Sequence, residues 1–416
     1  MWGVLRVRRF TEWRVAGWAP AFVAALVVAK GAVVLMRPRT GVIEPAPVRA
    51  SSYFSPEQLD RARDFRRPQR ALGLTAMALE AGVLASLVRS SPRRLRGPHR
   101  RPVLAGAAGA AALSVALTAA PLPLSAIARE RARRVGLDTQ SWAGWLEDLA
   151  KSTAISAGLA GAGGALALGL MRRLPRTWWI AGSGAVVGVG AGFLFVGPVI
   201  LDPIFNRFTK LPPGETRSDV LDLARRAGVS VGEVYEVDAS RRTTAVNAYV
   251  TGLGASKRVV LYDNLLTHFS RDETRLVVAH ELAHVHHRDV PRGLLYLAMV
   301  APCGLLAIAL LTQRLAPPED RIGPAALPAL VLSASLVSTP TNWIANGLSR
   351  RIEARADSFS LRLTGTPEPF VSFERNIALR NVAEPDPPRW VTALFGTHPS
   401  TVERIGIAKA YEQGAR

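Results

Sequence analysis

The chain has 416 residues, a length typical of two or three domains. Hydrophobic residues make up 49% of it and charged residues 20%, a composition that excludes a disordered or fibrous protein. The single cysteine, Cys303, excludes an intrachain disulfide and any zinc site built from several thiolates. Four of the seven histidines fall within the octet His280–His287, which makes that octet the first candidate for chemistry.

The formal net charge of +20 would by itself suggest a nucleic-acid partner. The basic residues, however, are 47 Arg and only 5 Lys, in a chain rich in Ala and Gly throughout. Many of the arginines flank apolar runs, where they would anchor helices to lipid headgroups. We therefore expect a lipid bilayer as a partner and no nucleic acid.

Seven apolar runs are long enough to be membrane-spanning helices, which need about 20 residues each. Any one of them could instead be a buried core helix, and the shortest, which contains Glu80, is the strongest case for that alternative. Because seven runs are bounded by clusters of Arg, we predict a multi-pass membrane protein. The runs are Val15–Met36, Ala71–Val88, Val103–Leu124, Thr153–Met171, Trp178–Leu201, Gly293–Leu311 and Gly323–Gly347.

The first run could also be a cleaved signal peptide, since arginines precede it. It exceeds the usual apolar core of ~7–15 residues, so we interpret it as a retained span. Loop charges give no orientation by the positive-inside rule. The polar segments 202–292 and 348–416 are separated by two spans, however, and so lie on the same side of the membrane, where they can build one site.

The first polar segment has the pattern of a small α+β unit. Ser218 and Asp219 resemble a cap for a short amphipathic helix that is closed by Gly228. Ser270 and Glu273 form a capping box that opens a second helix running to His287. The predicted elements are the helix Val220–Ala227 and the strands Glu233–Val237, Asn247–Thr251 and Arg258–Tyr262.

The second helix carries His280-Glu281-Leu282-Ala283-His284, an HExxH motif. Side chains at i and i+4 project from one helix face, so both imidazoles can reach one metal ion at ~2.0–2.1 Å. Glu281 lies beside them, in position to take a proton from an attacking water molecule. The motif is short and occurs by chance, but its helical context supports a metal site.

A third ligand should be a carboxylate on another element. Glu353 fits, because it lies on a polar helix that leaves the seventh apolar run, and Asp357 follows on the same face, where it could orient a ligating histidine. The alternative is a solvated helix with Glu–Arg pairs, which the sequence of this helix alone favours. His286 and His287 are expected to be ordinary residues near the membrane surface.

These residues together resemble a family, the integral-membrane zinc endopeptidases typified by the CAAX prenyl proteases and related to bacterial heat-shock membrane proteases. Seven spans also match the CAAX branch. The resemblance rests on ordered blocks that run from about Arg129 to Arg404 and is weak before them. The blocks are Asp202–Leu211, Asp238–Ser240, Asn247–Leu253, Lys257–Leu266, the HExxH motif, Ser349–Asp357, and His398-Pro399 with Arg404.

The resemblance implies a mainly α membrane protein with about seven transmembrane helices and a small α+β zinc metalloprotease domain of the gluzincin type. Its implied units are a five-helix membrane region at 1–201, catalytic parts at 202–292 and 348–416, and two spans at 293–347. One Zn²⁺ per chain would be bound by His280, His284 and Glu353, with Glu281 as general base. Asp357 would have a supporting or proton-donor role, and Asn247 and His398 would contact the substrate or the developing oxyanion. The site would face the cytoplasm of a bacterial cell.

The expected function is hydrolysis of peptide bonds in membrane-associated proteins or peptides, with membrane protein quality control as an alternative to trimming of lipidated peptides. An edge strand at Asn247–Tyr249 could pair with an extended substrate. The alternative for His398 is that it only begins the final helix, which its sequence alone favours. A silent membrane scaffold would be expected to carry an altered HExxH motif, and a transporter an inverted repeat, and the sequence has neither.

Overall fold

The structure, a computed structural model, describes residues 17–90, 95–97, 99–252, 257–318 and 321–414. The predicted first span begins at Val15, and Val15 and Ala16 lie outside the described residues. Leu253, the last residue of one block of the family resemblance, also lies outside them.

Most described residues are helical, as the predicted fold class requires. Six helices are long and apolar enough to cross a membrane, and a bent pair, Trp178–Leu194 with Gly197–Phe205, makes a seventh span if its two parts, inclined by 44°, are counted together. The first helices are α1 (Trp18–Met36), α2 (Pro56–Arg89), α3 (Pro102–Ala119), α4 (Leu122–Arg134), α5 (Trp142–Arg173) and α6 (Trp178–Val196), the last followed by a π-helical turn at Gly197–Leu201.

Helix α2 contains the shortest predicted span, Ala71–Val88. Ser55 caps it with a capping box, and its first turns are polar. The apolar side chains of Leu74, Met77 and Leu79 in its second half are exposed rather than buried in a core. A long exposed apolar surface of this kind is expected of a helix that faces lipid, so the alternative of a buried core helix is not supported.

The first polar segment folds as the predicted α+β unit. Its elements are α7 (Asp202–Phe205), β1 (Phe208–Lys210), α8 (Glu215–Arg226), β2 (Glu233–Val237), β3 (Ala248–Thr251), β4 (Arg258–Tyr262), α9 (Asp263–His268) and α10 (Arg271–His286). The four strands form one sheet in the order β1-β2-β4-β3, in which β2 and β4 are parallel and the two outer pairs are antiparallel. Strand β3 is therefore an edge strand.

One local prediction in this unit is wrong. Helix α8 begins at Glu215, not after a cap at Ser218 and Asp219. The Ser218 hydroxyl donates to the Gly214 carbonyl within the first turn (2.9 Å), so it does not serve as an acceptor at the helix start.

A single apolar core fixes α10 to the sheet. Buried side chains of β2, β4, α8 and α10 lie in one cluster, so the sheet and both helices share one packed interior. This packing sets the rotation of α10 about its own axis and so decides which helix face is left for the histidines. Its central members are Leu223, Val234, Val259, Leu261, Val278 and Leu282.

The second polar segment begins as a direct continuation of the seventh apolar run. After α11 (Asp289–Leu315), helix α12 extends over Leu327–Thr364 and joins span and polar part without a break, until Gly365 ends it with a positive φ of 70°. Helices α13 (Pro367–Arg380), α14 (Arg389–Phe395) and α15 (Thr401–Gly414) complete the chain. Helix α12 therefore carries Glu353 from the membrane to α10.

The loop between α1 and α2 packs against this catalytic part. The Ala46 amide donates to the Gly406 carbonyl of α15 (3.0 Å), and the Ile43 amide donates to the Ser358 hydroxyl of α12 (2.9 Å). A Cβ on Gly406 would lie 2.3 Å from the Ala46 carbonyl oxygen, so only glycine permits this contact. The first membrane helix is thereby tied to the helix that carries Glu353.

Candidate metal centre

The HExxH motif lies on helix α10, whose start and packing are both well defined. The predicted capping box is confirmed: the Ser270 hydroxyl accepts from the Glu273 amide, and the Glu273 side chain accepts from the Ser270 amide. Buried Leu276, Ala279 and Ala283 pack the helix against its neighbours. His280 and His284, one turn apart, then share the face that α12 covers.

The structure brings together the three predicted ligands. Ligand atoms of His280, His284 and Glu353 all lie within 4.8 Å of one another. The two Nε2 atoms are 3.3 Å apart, and Glu353 oxygens lie 3.2 Å from Nε2 of His280 and 3.7 Å from that of His284. Tetrahedral ligands at Zn–N distances of ~2.0–2.1 Å are separated by roughly 3.4 Å, so this arrangement fits one metal ion.

Both histidines are oriented by carboxylates at their other ring nitrogen. His280 Nδ1 lies 2.9 Å from Asp357 Oδ1, and His284 Nδ1 lies 3.0 Å from Asp289 Oδ2. An ionised carboxylate only accepts hydrogen bonds, so each Nδ1 carries a proton, and a metal ion that displaces any proton on Nε2 would find a lone pair there. The lone pairs that a metal needs therefore point to the same place.

A buried ion-pair network stands behind Asp357. Arg404 donates to both oxygens of the Asp357 carboxylate, and its Nη1 lies 2.8 Å from Glu374 Oε1. Burial alone would raise the pKa of Asp357, but the charge of Arg404 and the hydrogen bond from His280 hold that pKa well below its usual range. Asp357 is thus kept ionised in a fully buried position.

Asp289 has a similar partner. The Arg355 guanidinium donates to Asp289 Oδ1 (2.5 Å), while the other oxygen faces His284. Arg355 lies on α12 between Glu353 and Asp357. One short stretch of α12 therefore supplies three groups of the site. Glu353 is a candidate metal ligand, Asp357 is the acceptor for His280, and Arg355 binds the carboxylate that accepts from His284.

Glu353 and Glu281 differ in charge environment although both are carboxylates. Burial would raise the pKa of Glu353, yet its hydrogen bond with His280 and the neighbouring histidines lower it to about 2. Burial raises the pKa of Glu281, and the charges of the two histidines offset that effect only in part. An elevated pKa suits a proton acceptor more than a metal ligand.

A cavity of about 140 Å³ opens beside this cluster. Glu281, Asn247 and His398 all line it, so the residues assigned by resemblance converge on one space. Its remaining wall is largely apolar and comes from α10 and α13, including Leu276, Val277, Phe370, Phe373 and Ile377.

His398 and Asn247 reach the cavity from loops. His398 has a side chain that is 59% exposed, and its Nε2 lies 3.3 Å from Glu353 Oε2. The alternative that His398 begins the final helix is wrong, because α15 starts at Thr401, after Ser400 has paired with Glu403 as a cap. Asn247 is exposed and immediately precedes edge strand β3.

Sequence reasoning missed Asp289, Arg355 and Glu374, and it placed Arg404 only through the family resemblance. Asp289 carried a weak signal, since it lies five residues after His284 at the start of the next helix.

The other two histidines of the octet, His286 and His287, do not join the cluster. His286 Nδ1 contacts the Ala227 carbonyl oxygen (2.8 Å), and the rings of both histidines pack on Phe359.

Two family models match the chain: one described as peptidase family M48 over residues 211–412, and one described as CAAX prenyl protease N-terminal, five membrane helices, over residues 45–207. The uncharacterized metalloprotease YhfN of Bacillus subtilis is 33% identical over 307 residues, which are 72% of each chain. The chain belongs to the M48 family of metallopeptidases. It is a multi-pass membrane metalloprotease of the CAAX prenyl protease type.

Other M48 relatives align over shorter stretches. CAAX prenyl protease 1 of Saccharomyces cerevisiae is 36% identical over 34% of this chain and 31% of that protein, and the rice homologue is 29% identical over 51% and 53%. The chain thus matches about half or less of these two relatives. The crystal structure of Saccharomyces mikatae Ste24p superposes with a TM-score of 0.75 at 18% identity, covering 94% of this chain and 98% of that one, which shows a shared fold.

Proposed function

We propose that this M48 protein is a zinc-dependent endopeptidase that hydrolyses peptide bonds of membrane-associated proteins or peptides. One Zn²⁺ per chain would be bound by His280, His284 and Glu353. The observation that carries this proposal is the convergence of two Nε2 lone pairs and one carboxylate, with both Nδ1 atoms held by Asp357 and Asp289. Two histidines and a glutamate are a donor set typical of catalytic zinc.

When bound, zinc supplies a Lewis acid for the scissile carbonyl and lowers the pKa of water to ≈ 7. Glu281 is the general base: its carboxylate lines the cavity, where it can accept a proton from attacking water and pass it to the leaving amine. His398 is the hydrogen-bond donor to the developing oxyanion, from the exposed side of the cluster.

The substrate would bind as an added strand on β3. This strand pairs with β4 on one side and is the outer strand of the sheet, so its other side presents backbone groups that no described strand pairs with. Asn247, immediately before β3, lies at the cavity and would bind the peptide near its scissile bond. The apolar wall of the cavity, which includes Phe370 and Phe373, would accept an apolar side chain of the substrate.

The substrate class and the orientation follow from the family resemblance. Relatives carry the name CAAX prenyl protease, which makes trimming of a lipidated peptide one candidate activity and cleavage of membrane proteins in quality control the other. We place the site on the cytoplasmic face of a bacterial membrane. A reporter fused after Gly214 tests that placement, because Gly214 lies on the same side as the cluster.

The deciding experiment measures bound metal and peptide cleavage with wild-type protein beside Glu281→Gln. The variant should keep its zinc, since the ligands are intact, while cleavage falls by orders of magnitude because the proton acceptor is lost. Cleavage within a few-fold of wild type would remove Glu281 from the mechanism, and purified active protein without zinc would refute the metal assignment.

A further inference from the structure

Helix α14, seven residues long, lies between α13 and the segment that carries His398. Trp390 and Phe395 are 50% and 41% exposed, and their rings form an edge-on pair with centroids 6.3 Å apart. Arg389 beside them is also exposed. An exposed aromatic pair next to an arginine is typical of a surface that lies among lipid headgroups.

The depth of α14 is fixed by its hydrogen bonds to α12. Asn346 donates to the Leu394 carbonyl (2.7 Å), and Arg350 donates to the carbonyls of Thr392 (2.8 Å) and Gly396 (2.7 Å). Asn346 lies where the apolar part of α12 ends, about 10 Å along the helix axis from Glu353 at 1.5 Å per residue.

Helix α1 also ends near this part of α12. Ile344 of α12 lines a shallow groove together with Leu35 at the end of α1 and with Arg39 just beyond it. The same groove extends back to Val23, and Ile344 packs with Ala29 and Ala32, about one turn before α1 ends at Met36, so α1 becomes polar shortly beyond Ile344, as α12 does. That level is where a bilayer places its headgroups, and α14 lies beside it.

Helix α14 is also joined closely to the catalytic segment. Gly396 follows its last residue, and the Gly396 amide donates to the Thr392 carbonyl (3.0 Å). His398 follows after one further residue and reaches Glu353. A displacement of α14 would therefore move His398.

We propose that α14 is an interfacial membrane anchor that inserts Trp390 and Phe395 among lipid headgroups and so holds the His398 segment over the cluster. The partner is the bilayer surface itself. Its effect on His398 rests on the proposed function, whereas the insertion of α14 does not.

The first test measures insertion without any catalysis. In a Cys303→Ser background, which is free of cysteine, Trp390→Cys is labelled with an environment-sensitive fluorophore and placed in nanodiscs that contain nitroxide lipids. Matched controls are Arg225→Cys on α8, where the side chain is 79% exposed, and Val27→Cys in the first span, which is 64% exposed.

We expect shallow nitroxides to quench the label at position 390 most strongly, deep nitroxides to quench position 27, and neither to quench position 225. Quenching at position 390 no stronger than at position 225 would overturn the anchor. The anchor would also be overturned if the nitroxide lipids did not quench the label at position 390 but an added peptide substrate protected that label. The aromatic pair would then belong to substrate binding.

The second test concerns His398. Trp390→Ser combined with Phe395→Ser should lower kcat in nanodiscs by about tenfold, a coupling of the size found between adjoining groups, with zinc content unchanged. In a His398→Ala background the same pair should cause almost no further loss. An equal loss in both backgrounds would show that α14 does not act through His398, even where the labels confirm its insertion.

Discussion

Asp357 and Arg404 form a two-point ion pair behind His280. The guanidinium donates to both carboxylate oxygens, at 2.9 and 2.6 Å, and Asp357 is completely buried. Since Asp357 also accepts from His280, the charge on Arg404 determines whether the histidine keeps a charged acceptor.

Arg404→Met should weaken zinc binding although Arg404 contacts no metal ligand. Without the guanidinium, burial raises the pKa of Asp357 and the hydrogen bond to His280 loses its charged acceptor. Loss of such outer support costs about 10–100-fold in metal affinity. Chelator competition measures the change in zinc affinity. Arg404→Lys keeps the charge but not the two-point contact, so its zinc affinity should lie between those of wild type and Arg404→Met. An unchanged affinity in Arg404→Met would exclude this support.

Substitutions of the three carboxylates at the cluster should differ in their effect on bound zinc. Glu353→Ala removes a ligand and should abolish stoichiometric zinc, whereas Asp357→Ala and Asp289→Asn remove only the partners of the histidines and should lower affinity more mildly. Metal analysis after dialysis against a weak chelator ranks the variants. Full zinc in Glu353→Ala would mean that another residue completes the site.

The histidine pair of the motif was predictable because its spacing is local, whereas the role of Glu353 as third ligand stays a prediction. His280 and His284 share a face by the i,i+4 rule, and Glu353 was chosen as a carboxylate on a second polar helix, a choice that the solvated-helix alternative left open until the structure placed it 3.2 Å from His280. The catalytic roles of Glu281, Asn247 and His398 stay predictions, since proximity alone does not assign them.

Other features depended on tertiary packing that sequence spacing does not encode. Asp289 meets His284 and Arg355 because α11 begins at Asp289, directly after the left-handed residue Arg288 (φ 56°), and packs against α12. Glu374 is remote in sequence and meets Arg404 only through the packing of α13 on α15. The α8 start was missed because Gly214 offers no side-chain cap.

Ionisation of Glu374 should lower the free energy of unfolding as pH rises. Burial raises its pKa to about 7, and Arg404 offsets this only in part. The folded state therefore favours the neutral acid, so this contribution is fully present below the unfolded pKa of about 4.3 and is lost as pH rises through about 7.

The measurement is the apparent Tm in detergent between pH 5 and 8.5. Glu374→Gln, which cannot ionise, should flatten the decline of Tm with pH relative to wild type. The control is Glu368→Gln. Glu368 lies on the first turn of the same helix and forms no ion pair with another described residue. The same slope in wild type and Glu374→Gln would assign the pH dependence to other groups.

His398→Ala tests whether the exposed histidine acts on the transition state. Its Nε2 lies 3.3 Å from Glu353 on the open side of the cluster, so a substrate carbonyl near the metal ligands would lie within its reach. Loss of one oxyanion donor reduces kcat by about 10²–10³-fold. We expect that reduction with zinc content unchanged, measured by steady-state kinetics and metal analysis on the same sample. A change in KM alone would place His398 in ground-state binding, loss of zinc would make it a ligand, and unchanged kinetics would leave it a structural residue before α15.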